Sequence, residues 1–240
     1  MNFINFNIVK WLALCPEITN RNTWDSLAEK QDLCVGMYNH SPVNLIPPML
    51  RRRMSSLSKL ALQAAMGLSD KENIDYIVFA SRHGDLTRTV TLLEEIIAGN
   101  DASPILFSQS VHNTAAGLFT IASKKAIPVC SLAAGEDTLH NALIEASCYL
   151  LDNPDDSVLV VNFDEPLPAP YQKFDNQERQ GFALGLILAS GDDFIIKIQQ
   201  HSQENEAQTP QALRCIDYLL NEQTSITINS KKKSWIWEKS

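Results

Sequence analysis

Three short runs, "IDYIVFAS", "AIPVCSL" and "DSVLVVNFD", are apolar almost from end to end, and a helical pattern separates each from the next. Strands apolar on both faces belong inside a sheet that is covered on both sides, and helical crossovers between them run the strands parallel. That confines the chain to α/β architecture. The first interval holds "TRTVTLLEEIIAG", a helix closed by Gly99, and "SPILFSQSVHNTAAGLFTIAS", expected to be extended after Pro104 and helical from near Asn113. The second holds "EDTLHNALIEASCYLL". Ahead of these lie a strand, "NIVKWLALC", and a loop leading into a helix, "PPMLRRRMSSLSKLALQAAMGL", with Met54, Leu57, Leu60, Ala61 and Ala64 at 3–4 spacing. Behind them, "GFALGLILAS" and "FIIKIQQ" read as two strands joined by the turn "GDD".

These segments place one α/β unit in residues 1–200. Residues 201–240 read as a polar linker, "SQENEAQTPQ", followed by a short helix ("ALRCIDYLL") and a strand ("SITINS"). Trp235 and Trp237 then either anchor a cover over the sheet or belong to a disordered basic tail.

A net charge of −8 lacks the basic face a nucleic-acid partner requires. No apolar run approaches the roughly 20 residues of a membrane span, and the opening "MNFINFNIVKWLALCP" has neither a basic leader nor a small-residue cleavage site. The five cysteines, at 15, 34, 130, 148 and 215, form no disulfide framework and no metal-ligand spacing. The expectation is a reduced, cytoplasmic protein with no metal and no cofactor.

Several side chains invite a chemical reading. Arg51–Arg53 offer phosphate contacts, but without a glycine-rich loop a charged start to an exposed helix is the simpler account. "SRHGD" follows a buried strand, where open α/β sheets place ligands, so His83 with Asp85 is a possible base and orienter, or else a satisfied loop pair. Cys15, Cys34, Cys148 and Cys215 read as small core residues. Cys130 is the sharper case, with His112 or His140 as its base. The stretch "PVCSLAAGEDTLHNALIEA" weighs against it. The helix begins near Glu136 or Asp137, so a thiolate stabilised by the helix dipole would occupy position 135, which is glycine. Cys130 lies inside the expected strand, and the nearby carboxylates would raise its pKa rather than lower it.

The order and spacing of "PPMLRRRMSSLSKLALQAA", "SRHGDLTRTVTLLEEI", "SPILFSQSVHNTAAGLFTIAS", "SLAAGEDTLHNALIEA" and "VLVVNFDEPLP" resemble the N-terminal half of a β-ketoacyl synthase of the thiolase superfamily, over roughly residues 5 to 200. The resemblance implies half of a thiolase-like fold: a mixed, mostly parallel five-stranded sheet with helices on both faces. Anchored on Leu139–His140–Asn141, it puts the family's acylated cysteine on Gly135, and no second thiolase-like repeat supplies the family's histidines. A chain so altered resembles a chain length factor, of a half-length kind associated with aryl polyene biosynthesis. The resemblance then implies a heterodimer with a catalytic β-ketoacyl synthase, with an acyl carrier protein met through that partner. Thiolase-fold dimers join edge to edge, here through Ile127, Pro128, Val129, Cys130, Ser131 and Leu132, an apolar edge that is an association hazard unless paired. Leu106, Phe107, Val111, His112, Asn113 and Gly135 would line the acyl tunnel, with Leu106 and Phe107 alternatively core residues of this chain. A ketosynthase-derived scaffold, and an acyltransferase or hydrolase using Cys130, are the other readings.

Overall fold

The computed structural model describes residues 3–14, 43–174, 181–200, 209–221 and 223–240. The three apolar runs form β2 (Tyr76–Ala80), β3 (Val129–Leu132) and β4 (Val158–Asp164). β2 lies between the other two and is parallel to both. Every residue of β4 is buried, as befits a strand with helices on each side. The remaining strands are β1 (Phe3–Leu14), β5 (Phe182–Gln200), β6 (Ser225–Asn229) and β7 (Lys233–Lys239).

The sheet is mixed, and it departs from expectation in three respects. It has seven strands among the described residues rather than five, in the order β3-β2-β4-β5-β7-β6 with β1 on β5. Most of its pairings are antiparallel, since β1–β5, β4–β5, β5–β7 and β6–β7 all run that way. The hairpin expected at "GDD" does not form: β5 is one continuous strand of 19 residues. Its first part pairs with β4, and its last part, from Phe194, pairs with β7. β1 accompanies both parts, with the register jumping from Phe6↔Phe194 to Asn7↔Ala189. Residues 190–193 therefore bulge out of the ladder. Neighbouring asparagines satisfy the bulge: Asn5 Nδ2 donates to the Gly191 carbonyl (2.8 Å) and the Asp193 N–H donates to Asn7 Oδ1 (3.0 Å). A side chain at 191 would collide with the Asn7 amide, which would have to shift from its bond with the Asp193 N–H.

Helices cover both faces. They are α1 (Pro48–Arg51), α2 (Ser56–Ser69), α3 (Leu86–Ile97), α4 (Pro104–Gln109), α5 (Thr114–Ser123), α6 (Thr138–Asp152) and α7 (Gln211–Leu220). On one face α2 and α5 pack Leu57, Leu62, Ala65 and Phe119 onto Ile77, Phe79 and Val161. On the other, α6 and α7 pack onto Val78, Val160 and Leu186, and the aromatic residues of β7 join this core. Ser55 and Asp85 cap α2 and α3 by accepting backbone N–H bonds.

The C-terminal segment is bound to α6 through one buried network. His140 is fully buried. The Trp237 indole N–H donates to its Nε2 (2.9 Å), so that nitrogen is unprotonated, and Nδ1–H donates to Gln211 Oε1 (2.6 Å). The Gln211 amide and the Trp235 indole donate to Asp137 Oδ1 at 3.0 and 2.8 Å, and Trp235 stacks on the His140 ring with centroids 4.3 Å apart. Burial pushes His140 down to about 4, against the opposing pull of Gln211 and Asp137. The unfolded chain takes up a proton near 6.5 and the folded chain only near 4, so this contribution is complete above pH 6.5 and is lost as pH falls toward 4. The loss amounts to about 3 kcal/mol. Urea unfolding between pH 7 and 4 should show that fall, and a His140→Gln variant should show much less of it.

Candidate functional site

The strand-to-helix turn after β3 is a single 3₁₀ turn, Gly135–Asp137, running straight into α6. Gly135 sits at φ +61°, a backbone conformation L side chains rarely adopt, and a Cβ added there would meet nothing within 4 Å. The turn is fixed from below. Thr138 Oγ1 donates to the Gly135 carbonyl (2.7 Å) and accepts the Ala134 N–H (3.0 Å), and Asn141 Nδ2 donates to the Asp137 carbonyl (2.8 Å). This is the geometry of a nucleophile elbow: a strained position at the end of a strand, facing open space before a helix N-terminus. Here the position carries no side chain.

Around Gly135 stand Arg82, Asn162 and Asp164, from the C-terminal ends of β2 and β4, with Gln211 and Ala212 of α7 opposite. The cavity among them is about 20 Å³, room for about one water molecule. Asp164 is buried and accepts from Ser81 Oγ (2.8 Å) and from the Arg82 N–H (3.0 Å). Asn162 Nδ2 donates to the Ala80 carbonyl (2.9 Å). The site thus lies off the carboxyl ends of parallel strands, where such sheets gather ligands.

The other residues singled out from the sequence divide into groups. His112 meets the site through Ser81, whose carbonyl accepts from Nε2 (2.8 Å), and its ring lies against Gly84. Asp85 is buried as the cap of α3, its carboxylate 3.7 Å from the Arg88 guanidinium. Arg51 donates to the Val43 carbonyl (3.0 Å) at the end of α1. Cys130 is half-buried on β3, close to Tyr76, whose hydroxyl is pushed up by burial, by Glu145 and by Cys130 itself. His140 spends both ring nitrogens on Gln211 and Trp237, which leaves neither for Cys130. Cys215 is a buried core residue whose thiol burial pushes up to about 12. Cys148, read as core, is instead exposed on α6; Cys15 and Cys34 lie outside the described residues.

Two further readings change. The segment after Pro104 is helical rather than extended, because Pro104 occupies the first turn of α4 and Ser103 caps it, accepting the Leu106 N–H. The core alternative for Phe107 also fails: it is 62% exposed, with Ile105 at 56% and Val111 at 41%. Leu106 and His112 are half-buried and Asn113 is exposed. β3 ends the sheet and pairs only with β2 among the described residues. All four of its residues are half-buried, flanked by half-buried Ile127 and exposed Pro128.

The family of β-ketoacyl synthase N-terminal domains matches residues 24–238. Among solved structures, "Ketosynthase (ApeO) in Complex with its Chain Length Factor (ApeC) from Xenorhabdus doucetiae" matches at 26% identity and a TM-score of 0.83, over 98% of this chain and 100% of the matched one. The ishigamide ketosynthase/chain length factor matches at 15% identity and a TM-score of 0.59, over 83% and 68% of the two chains. A type II acyl-carrier protein in complex with its ketosynthase bound to the hexaketide matches at 9% identity and a TM-score of 0.64, over 99% of each chain. The last two likenesses are of fold alone. No curated protein matches the chain. No helix among the described residues is long and apolar enough to cross a membrane.

Proposed function

The chain belongs to the β-ketoacyl synthase family, and from that membership we propose that it is a non-catalytic chain length factor, the subunit that pairs with a catalytic ketosynthase and shapes the tunnel in which the product grows. The observation that carries the reading is Gly135. A ketosynthase needs a thiol at the elbow to hold the growing acyl chain as a thioester. This chain keeps the strained turn, the helix behind it and the space in front, and has no nucleophile there. The likeness to a chain of a ketosynthase–chain length factor complex, over the full length of that chain, supports the same assignment.

The partner pairs its own edge strand along Ile127 to Leu132, the segment that holds β3. Acyl carrier protein delivers to the partner's cysteine and meets this subunit only through the complex. Leu106, Phe107, Val111, His112 and Asn113 lie on or just after α4, a helix with no buried residue of its own, and they supply the far wall of the partner's tunnel. The biosynthetic setting of this reading is that of the aryl polyenes. Gly135 faces a pocket shared with Arg82, Asn162, Asp164 and Gln211, and α4 reaches toward the partner's tunnel.

Shortening the wall should lengthen the product. With the ketosynthase co-expressed, Phe107→Ala and Leu106→Ala should give intact complexes by sizing and longer polyenes by mass spectrometry. Phe107 is exposed in this chain, so its truncation opens no cavity here. Intact complexes with products of unchanged length would leave only a scaffolding role.

A further inference from the structure

We infer that α7, β6 and β7 form an acid-released clasp: a unit that lets go of the elbow and of β5 when His140 takes up a proton, while β2, β3 and β4 stay folded. The clasp coheres by itself. α7 packs on β6, and β6 pairs with β7 along its whole length. It grips the elbow through bonds that end on Glu136, Asp137 and His140. To those of Gln211, Trp235 and Trp237 described above, the Lys231 N–H adds a bond to Glu136 Oε2 (3.2 Å), and Lys233 Nζ lies 3.6 Å from Asp137 Oδ2. Its polar ties to β5 are the ladder from Phe194 onward, the Lys197–Glu238 ion pair, and the bonds that Ser240 donates to the carbonyls of Asp192 and Asp193. The core on the opposite face, where α2 and α5 pack on β2 and β4, contains no residue of the clasp. Units set apart in this way open at a lower free energy than the whole fold does.

One proton suffices because of where it must go. Nδ1 of the neutral ring already carries a hydrogen, given to Gln211, so only Nε2 can accept, and there the Trp237 indole N–H points in at 2.9 Å. Protonation sets two N–H donors against each other and breaks the bond that pins β7. It also leaves a buried cation. Asp137 on the turn and Lys233 on β7 are the charged groups that act on the ring. The Asp137 carboxylate is already spent on Gln211, Trp235 and Lys233, and Lys233 repels. α7 contributes Cys215 and Tyr218, both held neutral by burial, and β1 and β5 contribute the apolar rings of Phe6 and Phe194 around Trp237. Burial outweighs Asp137, and the ring takes its proton at the ordinary value only when the clasp is open. Opening also removes Gln211 and Ala212 from the wall of the pocket at Gly135.

Cys215, fully buried on α7, reports the opening, and Cys148, exposed on α6, serves as the reference thiol in the same chain. The full chain is pulsed with a dipyridyl disulfide, which reacts with thiols in acid as well as at neutral pH, and each site is read by peptide mass spectrometry. The open clasp binds a proton near 6.5 and the closed one only near 4, so labelling of Cys215 relative to Cys148 should rise about a hundredfold from pH 7 to pH 4. Hydrogen exchange in β4, corrected for the intrinsic effect of pH, should change far less, and His140→Gln should flatten the rise. A wild-type ratio that stays constant with pH would overturn the clasp. So would a rise matched by an equal loss of protection in β4, which would make the acid event global unfolding. An unchanged rise in His140→Gln would place the proton on another group and overturn it too. Should that variant not fold, the urea dependence of Cys215 labelling in the wild-type chain decides. A slope well below that of global unfolding supports the clasp, and an equal slope removes it. None of these outcomes bears on the proposed pairing with a ketosynthase.

Discussion

Val129→Asp is expected to abolish the heterodimer while leaving the ketosynthase soluble and folded. Val129 opens the edge strand and is half-buried with β2 on one side only. Its side chain packs at the margin of the α2–α5 core. Strand addition would close the free edge, and a carboxylate in that seam would be stripped of water with no cation to meet it, a cost of several kcal/mol. Val129→Thr keeps the shape and the β-branch and should retain the complex. Circular dichroism of both variants separates a lost interface from a lost fold. A Val129→Asp chain that elutes with the ketosynthase as wild type does would remove β3 from the interface.

The second large effect is on stability. Trp237→Ala should destabilise the chain by about 3–5 kcal/mol, a drop of roughly 6–20 °C in thermal midpoint for a domain of this size. Trp237 is fully buried among Phe6, Phe194, Tyr218 and His140. Its loss leaves a cavity, removes the clamp on β7 and orphans His140 Nε2, the acceptor of its indole N–H. Trp237→Phe keeps most of the volume and should cost about 1–3 kcal/mol, mainly the unsatisfied nitrogen. Scanning calorimetry of the two variants distinguishes packing from the hydrogen bond. An Ala variant as stable as the Phe variant would mean that β7 contributes little to the core.

The sequence carried the α/β class and the elbow because both are local patterns. Apolar runs of strand length mark β2, β3 and β4, and the helical spacing behind Gly135 fixes where a nucleophile would stand. It concealed what depends on partners distant in the chain. "GDD" carries a turn signal at Gly191, and only the amides of Asn5 and Asn7, almost 190 residues away, convert that turn into a bulge in one long strand. Pro104 after Ser103 is ambiguous between an extended segment and a first helical turn, and the N-cap decides it. The network of Asp137, His140, Gln211, Trp235 and Trp237 joins three separate segments. Its one local trace is the alternation of Trp235 and Trp237 in "SWIWEK", which puts both indoles on one face of a strand. α3 reads from the sequence only as a helix closed by Gly99, and the exposure of Leu93, Ile96 and Ile97 appears only in the structure.

The most direct test of the central claim is intact mass spectrometry of the reconstituted complex after exposure to acyl-loaded carrier protein. The account predicts an acyl adduct on the ketosynthase and none on this chain. Gly135→Cys, for which the elbow has room, should not bring condensing activity to the chain by itself. An acyl adduct on the wild-type chain that disappears in Cys130→Ala would contradict the account and make Cys130 the nucleophile of an enzyme.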